Sequence, residues 1–225
     1  MIAHGHYATL VFDCDGVVLD SNRLKTEAFR RAALPWGEAA ADALVAYHIA
    51  HGGVSRYVKF RHFLDALVPE HAPGGCGPGL EGLLDAYAGA VRDGLMTCGV
   101  APGLAELRAA TPGVRWLIVS GGDQAELREV FAARGLDRHF DGGIFGSPDT
   151  KAAILARELA AGNIRRPALF LGDSRLDFEA AAGAGLDFTF VSGWSEVADW
   201  RGFVAEHRLA CVAGLSDLLG GAGPA

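Results

Sequence analysis

Short apolar runs that end in polar residues alternate with stretches of helical spacing over most of the chain. Residues 10–12 form an uninterrupted apolar run, of the kind that a parallel sheet buries on both faces, and the run stops at Asp13. The alternation becomes regular after residue 102, and it predicts strands at 114–119, 144–145, 168–171, 188–191 and 210–213 with helices between most of them. This order favours an α/β fold with a doubly wound parallel sheet.

The segment between the first strand and this regular part has only helical patterns. Its helix signals are the possible caps Ser21 and Ser55 and the possible ends Pro35 and Pro69. After Ser55, apolar residues keep the i, i+3, i+4, i+7 spacing of a buried stripe at Phe60, Phe63, Leu64 and Leu67. We therefore predict an all-helical cap domain at 18–92, inserted into a core domain formed by 1–17 and 93–225.

Composition and charge narrow the classes of function. Half of the 225 residues are apolar, and 20 Lys and Arg against 27 Asp and Glu give a net charge of −7. A negative chain of this kind is not expected to bind nucleic acid or an anionic membrane in general. We expect a monomer or small homo-oligomer, and a frayed tail at 220–225.

Cysteine usage and the start of the chain point to a cytoplasmic protein. The four cysteines lie far apart without metal-ligand spacing, which favours reduced thiols over disulfides or zinc sites. The first residues lack the basic and apolar regions of a secretion signal, and we see no membrane-spanning segment.

Asp13 and Asp15 stand directly after the first strand. Side chains alternate along an extended chain, so both carboxylates are expected on one side, with Cys14 turned into the core. Two carboxylates in one pocket repel each other and raise each other's pKa, unless a cation lies between them or they play different roles. An isolated Asp-x-Asp-Gly segment is also common in turns.

Later strand ends add polar groups at the same edge of the sheet. Ser120 and Gly121 offer a hydroxyl and backbone N–H groups that could hold an oxyanion. Lys151 opens a helix, where the helix dipole disfavours a cation, and this indicates an anionic partner. Asp173 and Asp177 lie four residues apart after another strand. Clustered acids are suited to Mg²⁺, and a hydroxyl with a lysine is suited to phosphate.

These motifs resemble the haloacid dehalogenase superfamily, in the subgroup with an inserted helical cap that includes phosphoglycolate phosphatases and β-phosphoglucomutase. Four segments match its motifs in order: Asp13-x-Asp15-Gly-Val, Ser120, Lys151, and Gly172-Asp173-x-x-x-Asp177. The resemblance covers nearly the whole chain and implies a Rossmann-like core.

The resemblance implies a role for each matched residue. Asp13 would attack phosphorus and form an aspartyl-phosphate, while Asp15 would act as general acid and then general base. Mg²⁺ would be held by Asp13, Asp173 and the backbone carbonyl of Asp15, with Asp177 supporting the metal or Lys151. The phosphoryl oxygens would be bound by Ser120, Gly121 and Lys151.

The cap is expected to contribute to substrate choice. Arg56, Lys59 and Lys25 are candidates for binding the distal part of the substrate, and the cap histidines receive no role. We therefore predict a cytoplasmic Mg²⁺-dependent phosphatase that acts on a small phosphorylated metabolite, with a sugar phosphate as the favoured class.

Three alternatives remain open at this point. Gly53-Val54-Ser55-Arg56 is similar to the cap motif of β-phosphoglucomutase, but Lys25 stands where the mutase pattern has a histidine. A dehalogenase would keep the nucleophile and would need neither Asp15 nor the acids at 173 and 177. A phosphate-responsive binding protein without catalysis is the third alternative.

Overall fold

Six parallel strands form one sheet in the computed structural model, which describes residues 6–219. The strands are β1 (Thr9–Phe12), β2 (Arg115–Asp123), β3 (Gly143–Ser147), β4 (Ala168–Gly172), β5 (Asp187–Val191) and β6 (Ala210–Val212). Their order across the sheet is β3-β2-β1-β4-β5-β6. Because β1 is central and the order reverses on either side of it, the sheet is doubly wound, as predicted.

Alternate residues of the central strands pack into two hydrophobic layers. Leu10 and Phe12 belong to one layer, whereas Val11 belongs to the other. The helices around the sheet are α6 (Leu104–Ala110), α7 (Gln124–Ala133), α8 (Lys151–Ala160), α9 (Arg175–Ala184) and α10 (Trp200–His207). Helices α6 and α7 supply apolar side chains to the first layer, and α8 and α9 supply them to the second. The strands are therefore buried on both faces.

A helical cap is inserted between β1 and α6. It consists of α1 (Asn22–Ala33), α2 (Glu38–Ala50), α3 (Arg56–His62), α4 (Val68–His71) and α5 (Leu80–Thr97). Phe29 packs against Phe60 and Tyr87, with ring centroids 5.0 and 4.4 Å away. These cap residues belong to the same hydrophobic cluster as Phe12 in the sheet. The predicted boundary at residue 92 falls inside α5, and the domain limits stay a prediction.

The prediction that Pro69 ends the third helix is wrong. A π-helical turn at Phe63–Leu67 joins α3 directly to α4, which continues to His71. Pro69 lies in the first turn of α4, where its missing N–H group costs little. The buried stripe is present, because Phe60 and Phe63 are fully buried and Leu64 and Leu67 pack beside them.

The cap lies directly against the core at two glycines. A Cβ atom on Gly121, in β2, would lie 2.1 Å from the carbonyl oxygen of Gly53 in the cap. No side chain fits at that distance, so glycine at 121 allows the two backbones to touch. This contact fixes how closely the cap covers the ends of the strands.

Two further observations concern the described residues. No helix among them is long and apolar enough to cross a membrane. All four cysteines are free, and Cys14 is buried in the hydrophobic core, as predicted. The expectation for the tail concerns residues 220–225, which lie outside the described residues.

A pair of glycines in α5 tests the packing of the cap. A Cβ on Gly94 would lie 1.7 Å from Cδ1 of Leu24 in α1, whereas a Cβ on Gly89 would meet nothing within 4 Å. We expect Gly94→Ala to lower the free energy of unfolding by about 1–3 kcal/mol through overpacking. Gly89→Ala should raise it by about 0.5–1 kcal/mol, because alanine is the better helix former. Denaturant unfolding measures both, and equal effects would contradict the close α1–α5 contact.

Candidate active site

Three buried acids meet at the carboxyl ends of β1 and β4. Asp13 follows β1, Asp173 follows β4, and Asp177 lies in the first turn of α9. One carboxylate oxygen from each residue lies within 4.8 Å of the other two. The parallel pairing of β1 with β4 produces this arrangement, because it brings the ends of both strands to one edge.

Lys151 connects two of these acids from the start of α8. Its Nζ lies 2.9 Å from Oδ1 of Asp13, and it donates to Oδ1 of Asp177 at 2.5 Å. Burial alone would lower the pKa of Lys151, but the two carboxylates hold it above its usual range. The cation that is unfavourable for the dipole of α8 is therefore balanced by acids of this chain.

Asp177 is fully buried and positions its neighbours. Its second oxygen, Oδ2, accepts hydrogen bonds from the backbone N–H and the hydroxyl of Ser174, at 3.1 and 2.6 Å. With Lys151 on Oδ1, both oxygens of Asp177 are engaged within the protein. Asp177 thus contacts Lys151 directly, and its role in supporting the lysine or a metal stays a prediction.

The acid cluster carries more negative charge than Lys151 can balance. Burial, followed by repulsion from Asp177, raises the pKa of Asp13 to about 7. Burial and the charges of Asp13 and Asp177 also raise the pKa of Asp173. When all three acids are ionised, two negative charges remain beside Lys151, which matches one divalent cation. The oxygen donors fit Mg²⁺, and Asp13 and Asp173 are the side chains that would hold it.

Asp15 has different partners from Asp13. Lys25, in α1, lies 2.6 Å from Oδ2 of Asp15, and the Ser21 hydroxyl donates to Oδ1 at 2.6 Å. Burial would raise the pKa of Asp15, but Lys25 and these hydrogen bonds bring it below the usual value. Ser21 is the N-cap residue of α1, as its position suggested, but its side chain makes no cap hydrogen bond and binds Asp15 instead.

Ser120 and Gly121 lie in β2, which continues four residues beyond the predicted end at 119. The Ser120 hydroxyl is buried and accepts a hydrogen bond from the N–H of Gly122 at 3.0 Å. Gly121 and Gly122 line the cavity between core and cap. Because β2 pairs with β1, this segment lies next to Asp13 at the carboxyl end of the neighbouring strand.

A cavity of about 70 Å³ lies between this strand edge and the cap. The core contributes acids and glycines, and the cap contributes apolar, aromatic and basic side chains. The cap residues that line it include Lys25, Phe29, His48, Arg56, Lys59 and Tyr87. All three predicted cap cations therefore border the same space as Asp13 and Asp15.

Arg56 crosses from the cap to the core. Its Nη1 donates to both carboxylate oxygens of Glu126 at 3.1 and 3.2 Å, and its Nη2 lies 3.6 Å from Asp123. The Tyr57 hydroxyl donates to Asp123 at 2.7 Å. The guanidinium is engaged by core carboxylates in this structure, and a direct contact with substrate stays a prediction.

Several residues of the site were not found from the sequence. Asn22 donates to Asp173 and to the backbone carbonyl of Trp194, at 2.7 and 2.8 Å. His48 lies 2.7 Å from Lys59, and Glu196 accepts from Thr26 at 2.9 Å. Of these residues, Asn22 alone could have been found from the sequence, because it lies at the start of α1, close to the acid motif.

A doubly wound sheet that carries two acid pairs and a buried lysine beneath a helical cap is the arrangement of a capped phosphatase. The model of the haloacid dehalogenase-like hydrolase family matches residues 7–185. The chain belongs to this family of hydrolases.

The proteins that this chain resembles in sequence and in structure are named for different activities. Tyrosine-protein kinase PtkA of Mycobacterium tuberculosis is 29% identical over 198 residues, which are 82% of this chain and 62% of PtkA. The chain thus spans less than two thirds of the length of that relative.

Among solved structures, a predicted phosphoglycolate phosphatase from Haemophilus somnus has a TM-score of 0.75 and 17% identity, over 95% of this chain and 97% of that one. CbbY from Rhodobacter sphaeroides, solved with phosphate, has a TM-score of 0.67 and 19% identity, over 94% of this chain and 96% of that one. At these identities the likeness demonstrates a shared fold.

The raised pKa values of Asp13 and Asp173 predict how stability depends on pH and Mg²⁺. The folded protein retains protons that the unfolded chain loses above about pH 4, so metal-free stability should fall as pH rises towards 7. Bound Mg²⁺ should offset the repulsion and raise the melting temperature by about 5–10 °C at pH 7.5, and by less at pH 5.

Asp173→Asn should raise the melting temperature of the metal-free protein at pH 7.5 and remove the Mg²⁺-dependent increase. Asp65→Asn, which changes an exposed acid of the cap, is the matched control and should keep that increase. A wild-type melting temperature that ignores Mg²⁺ at both pH values would exclude the metal assignment.

Proposed function

We propose that this protein is a Mg²⁺-dependent phosphatase that hydrolyses a small phosphorylated metabolite, with sugar phosphates as the class, through an aspartyl-phosphate intermediate. The observation that carries the proposal is the contact of Lys151 with Asp13 inside a buried acid cluster, while Asp15 is held separately by Lys25. This separation gives the two acids of the first motif different environments and hence different roles.

Asp13 is suited to act as the nucleophile. Its Oδ1 accepts a hydrogen bond from the backbone N–H of Cys14 at 2.7 Å and lies 2.9 Å from Nζ of Lys151. Both contacts use Oδ1, so Oδ2 is the oxygen that would attack phosphorus. Bound Mg²⁺ would supply charge neutralisation at the transferring group. Lys151 would stabilise the ionised carboxylate and bind a phosphoryl oxygen.

Asp15 is suited to move protons. It would give a proton to the leaving oxygen as the phosphoryl group passes to Asp13, and would then take a proton from the water that hydrolyses the intermediate. Lys25 and Ser21 favour the ionised carboxylate, which is the form required for the second step. For the first step Asp15 would have to take up a proton beforehand, from solvent or from the monoanionic form of the phosphate ester. A dehalogenase would have no use for this group, so its placement supports phosphate chemistry.

The cap would exclude bulk water during the reaction. The backbone contact between Gly53 and Gly121 and the ion pairs of Arg56 hold the cap on the core. A cavity between the cap and the strand ends suits a small substrate and strengthens the electrostatic interactions inside it.

The relationship to PtkA favours a second candidate, transfer of a phosphoryl group to a protein tyrosine. The first chemical step would be shared, and the acceptor of the aspartyl-phosphate would be a phenol instead of water. The small covered cavity favours the phosphatase, because another protein's side chain would require the cap to open.

The nucleophile assignment is tested by Asp13→Asn. The amide has nearly the same shape but is a poor nucleophile, so we expect phosphate release to fall at least about 1,000-fold while circular dichroism stays unchanged. The assay is Mg²⁺-dependent phosphate release from a panel of sugar phosphates and from an aryl phosphate. Substantial turnover by Asp13→Asn would overturn the proposed mechanism.

The same preparations separate the two candidate functions. Wild-type protein incubated with γ-labelled ATP and a tyrosine-containing polymer should release labelled phosphate or remain inactive, without labelling tyrosine. Labelled phosphotyrosine that disappears in Asp13→Asn would favour the kinase candidate. Turnover of the panel without Mg²⁺ would contradict both.

A further inference from the structure

The two carboxylate oxygens of Asp173 have different surroundings. Oδ2 accepts a hydrogen bond from Nδ2 of Asn22 at 2.7 Å. Gly16 lies against the same oxygen, because a Cβ atom built on Gly16 would be 2.1 Å from it. Among residues 6–219, no hydrogen bond reaches Oδ1 of Asp173, and Asp173 lines the cavity. One oxygen of this carboxylate is therefore enclosed by the protein, and the other is free for a ligand.

The side chain of Asn22 is fixed in one orientation. Its Nδ2 also donates to the backbone carbonyl of Trp194, at 2.8 Å. Both N–H donors of the amide are thus used, each on an oxygen that can only accept. Turning the amide over would place its own oxygen against these two acceptors, so the chemistry of the surroundings selects the donating orientation. Two hydrogen bonds therefore hold the amide of Asn22 against Oδ2 of Asp173.

The loop that follows β5 supports the same arrangement. The hydroxyl of Ser195 donates to the backbone carbonyl of Asp173 at 2.6 Å. Thr26, which lies one turn after Asn22 in α1, donates to the carboxylate of Glu196 at 2.9 Å. The first helix of the cap thus binds this loop through Asn22 and through Thr26, and of these two residues Asn22 alone hydrogen-bonds Asp173.

Calcium and magnesium differ in how they use a carboxylate. Ca²⁺ accepts about six to eight oxygen ligands and can take both oxygens of one carboxylate, whereas Mg²⁺ is smaller, requires octahedral coordination and keeps several waters. Because Oδ2 of Asp173 is bound to Asn22 and packed against Gly16, this acid can offer a cation one oxygen. That restriction removes a ligand that Ca²⁺ could use and that Mg²⁺ does not need.

We propose that Asn22 is a positioning residue that holds Asp173 with a single oxygen available to the divalent cation, and that it thereby favours Mg²⁺ over Ca²⁺. This inference deepens the proposed phosphatase function and rests on its Mg²⁺ site at Asp13 and Asp173. Helix stability does not explain the choice of residue, because asparagine is a poor helix former and the N-cap position of α1 belongs to Ser21.

Calorimetric titration of the metal-free protein with Mg²⁺ and with Ca²⁺ tests the proposal. Asn22→Ala removes both hydrogen bonds and should weaken Mg²⁺ binding about 10- to 100-fold, the range for partners that orient a metal ligand. Ca²⁺ binding should weaken less, because the released carboxylate can turn and offer both oxygens. The ratio of the two dissociation constants should therefore shift at least about 10-fold in favour of Ca²⁺.

Two further variants separate the hydrogen bond to Asp173 from the packing around it. Asn22→Leu keeps the branch at Cγ without the donors and should shift the ratio as Asn22→Ala does. Thr26→Val removes the contact with Glu196 from the same helix and keeps the hydrogen bond to Asp173, so both cation affinities should stay at their wild-type values. Melting temperatures of the metal-free proteins check that each variant is folded.

Several results would overturn the role of Asn22. Equal weakening of Mg²⁺ and Ca²⁺ in the Asn22 variants would refute the selectivity, and unchanged affinities would show that Asn22 does not position Asp173. An equal shift of the ratio in Thr26→Val would assign the effect to the seating of the cap on the loop.

The same titrations separate this inference from the proposed reaction. Wild-type protein that binds Mg²⁺ but hydrolyses no phosphate ester would refute the phosphatase alone, and the affinities of the variants would still decide the role of Asn22. Wild-type protein that hydrolyses phosphate esters with Mg²⁺, with a cation preference that ignores Asn22, would refute this inference alone. Wild-type protein that binds neither cation would overturn both.

Discussion

The balance of charge among buried side chains at the carboxyl ends of the strands is the constraint on which the rest of this structure depends. Carboxylates that leave water must be paired or must take up protons. At the ends of β1 and β4, Lys151 balances one of the negative charges of Asp13, Asp173 and Asp177. The remaining negative charge is what a divalent cation would balance. The same constraint recurs at Asp15, which is satisfied by Lys25 from the cap. The acids proposed for catalysis and the lysines that hold them are therefore parts of one network of buried charges.

The charged side chains of this network come from only a few segments of the chain, which the sheet topology brings together. Since β1 is central, Asp13 has the end of β2 on one side and the end of β4 on the other. The chain then enters the cap directly, so α1 starts within the site and places Asn22 against Asp173 and Lys25 against Asp15. A cap inserted elsewhere in the chain would not bring a helix start to this position.

The sequence was sufficient for features that depend on local pattern. Apolar runs indicated the strands, and acids at their ends were brought together by the parallel pairing alone. Ser55 caps α3 as its position suggested. Side-chain contacts across the cap and core were beyond local pattern: Ser21 binds Asp15, and Arg56 binds Glu126, seventy residues away. Pro69 failed as a helix end because the preceding π-helical turn places it in a first turn, and spacing does not reveal such turns.

Phe29 and Tyr87 in the cap and Phe12 and Trp116 in the sheet belong to one continuous hydrophobic cluster. Domains that share a core in this way are not interchangeable modules, because exchanging the cap also exchanges part of the interior that stabilises the sheet. A change of specificity is more accessible through single substitutions at cavity-lining cap positions outside the shared cluster, such as His48 and Lys59. Such substitutions would change what the cavity binds without disturbing the interior that the cap and the sheet share.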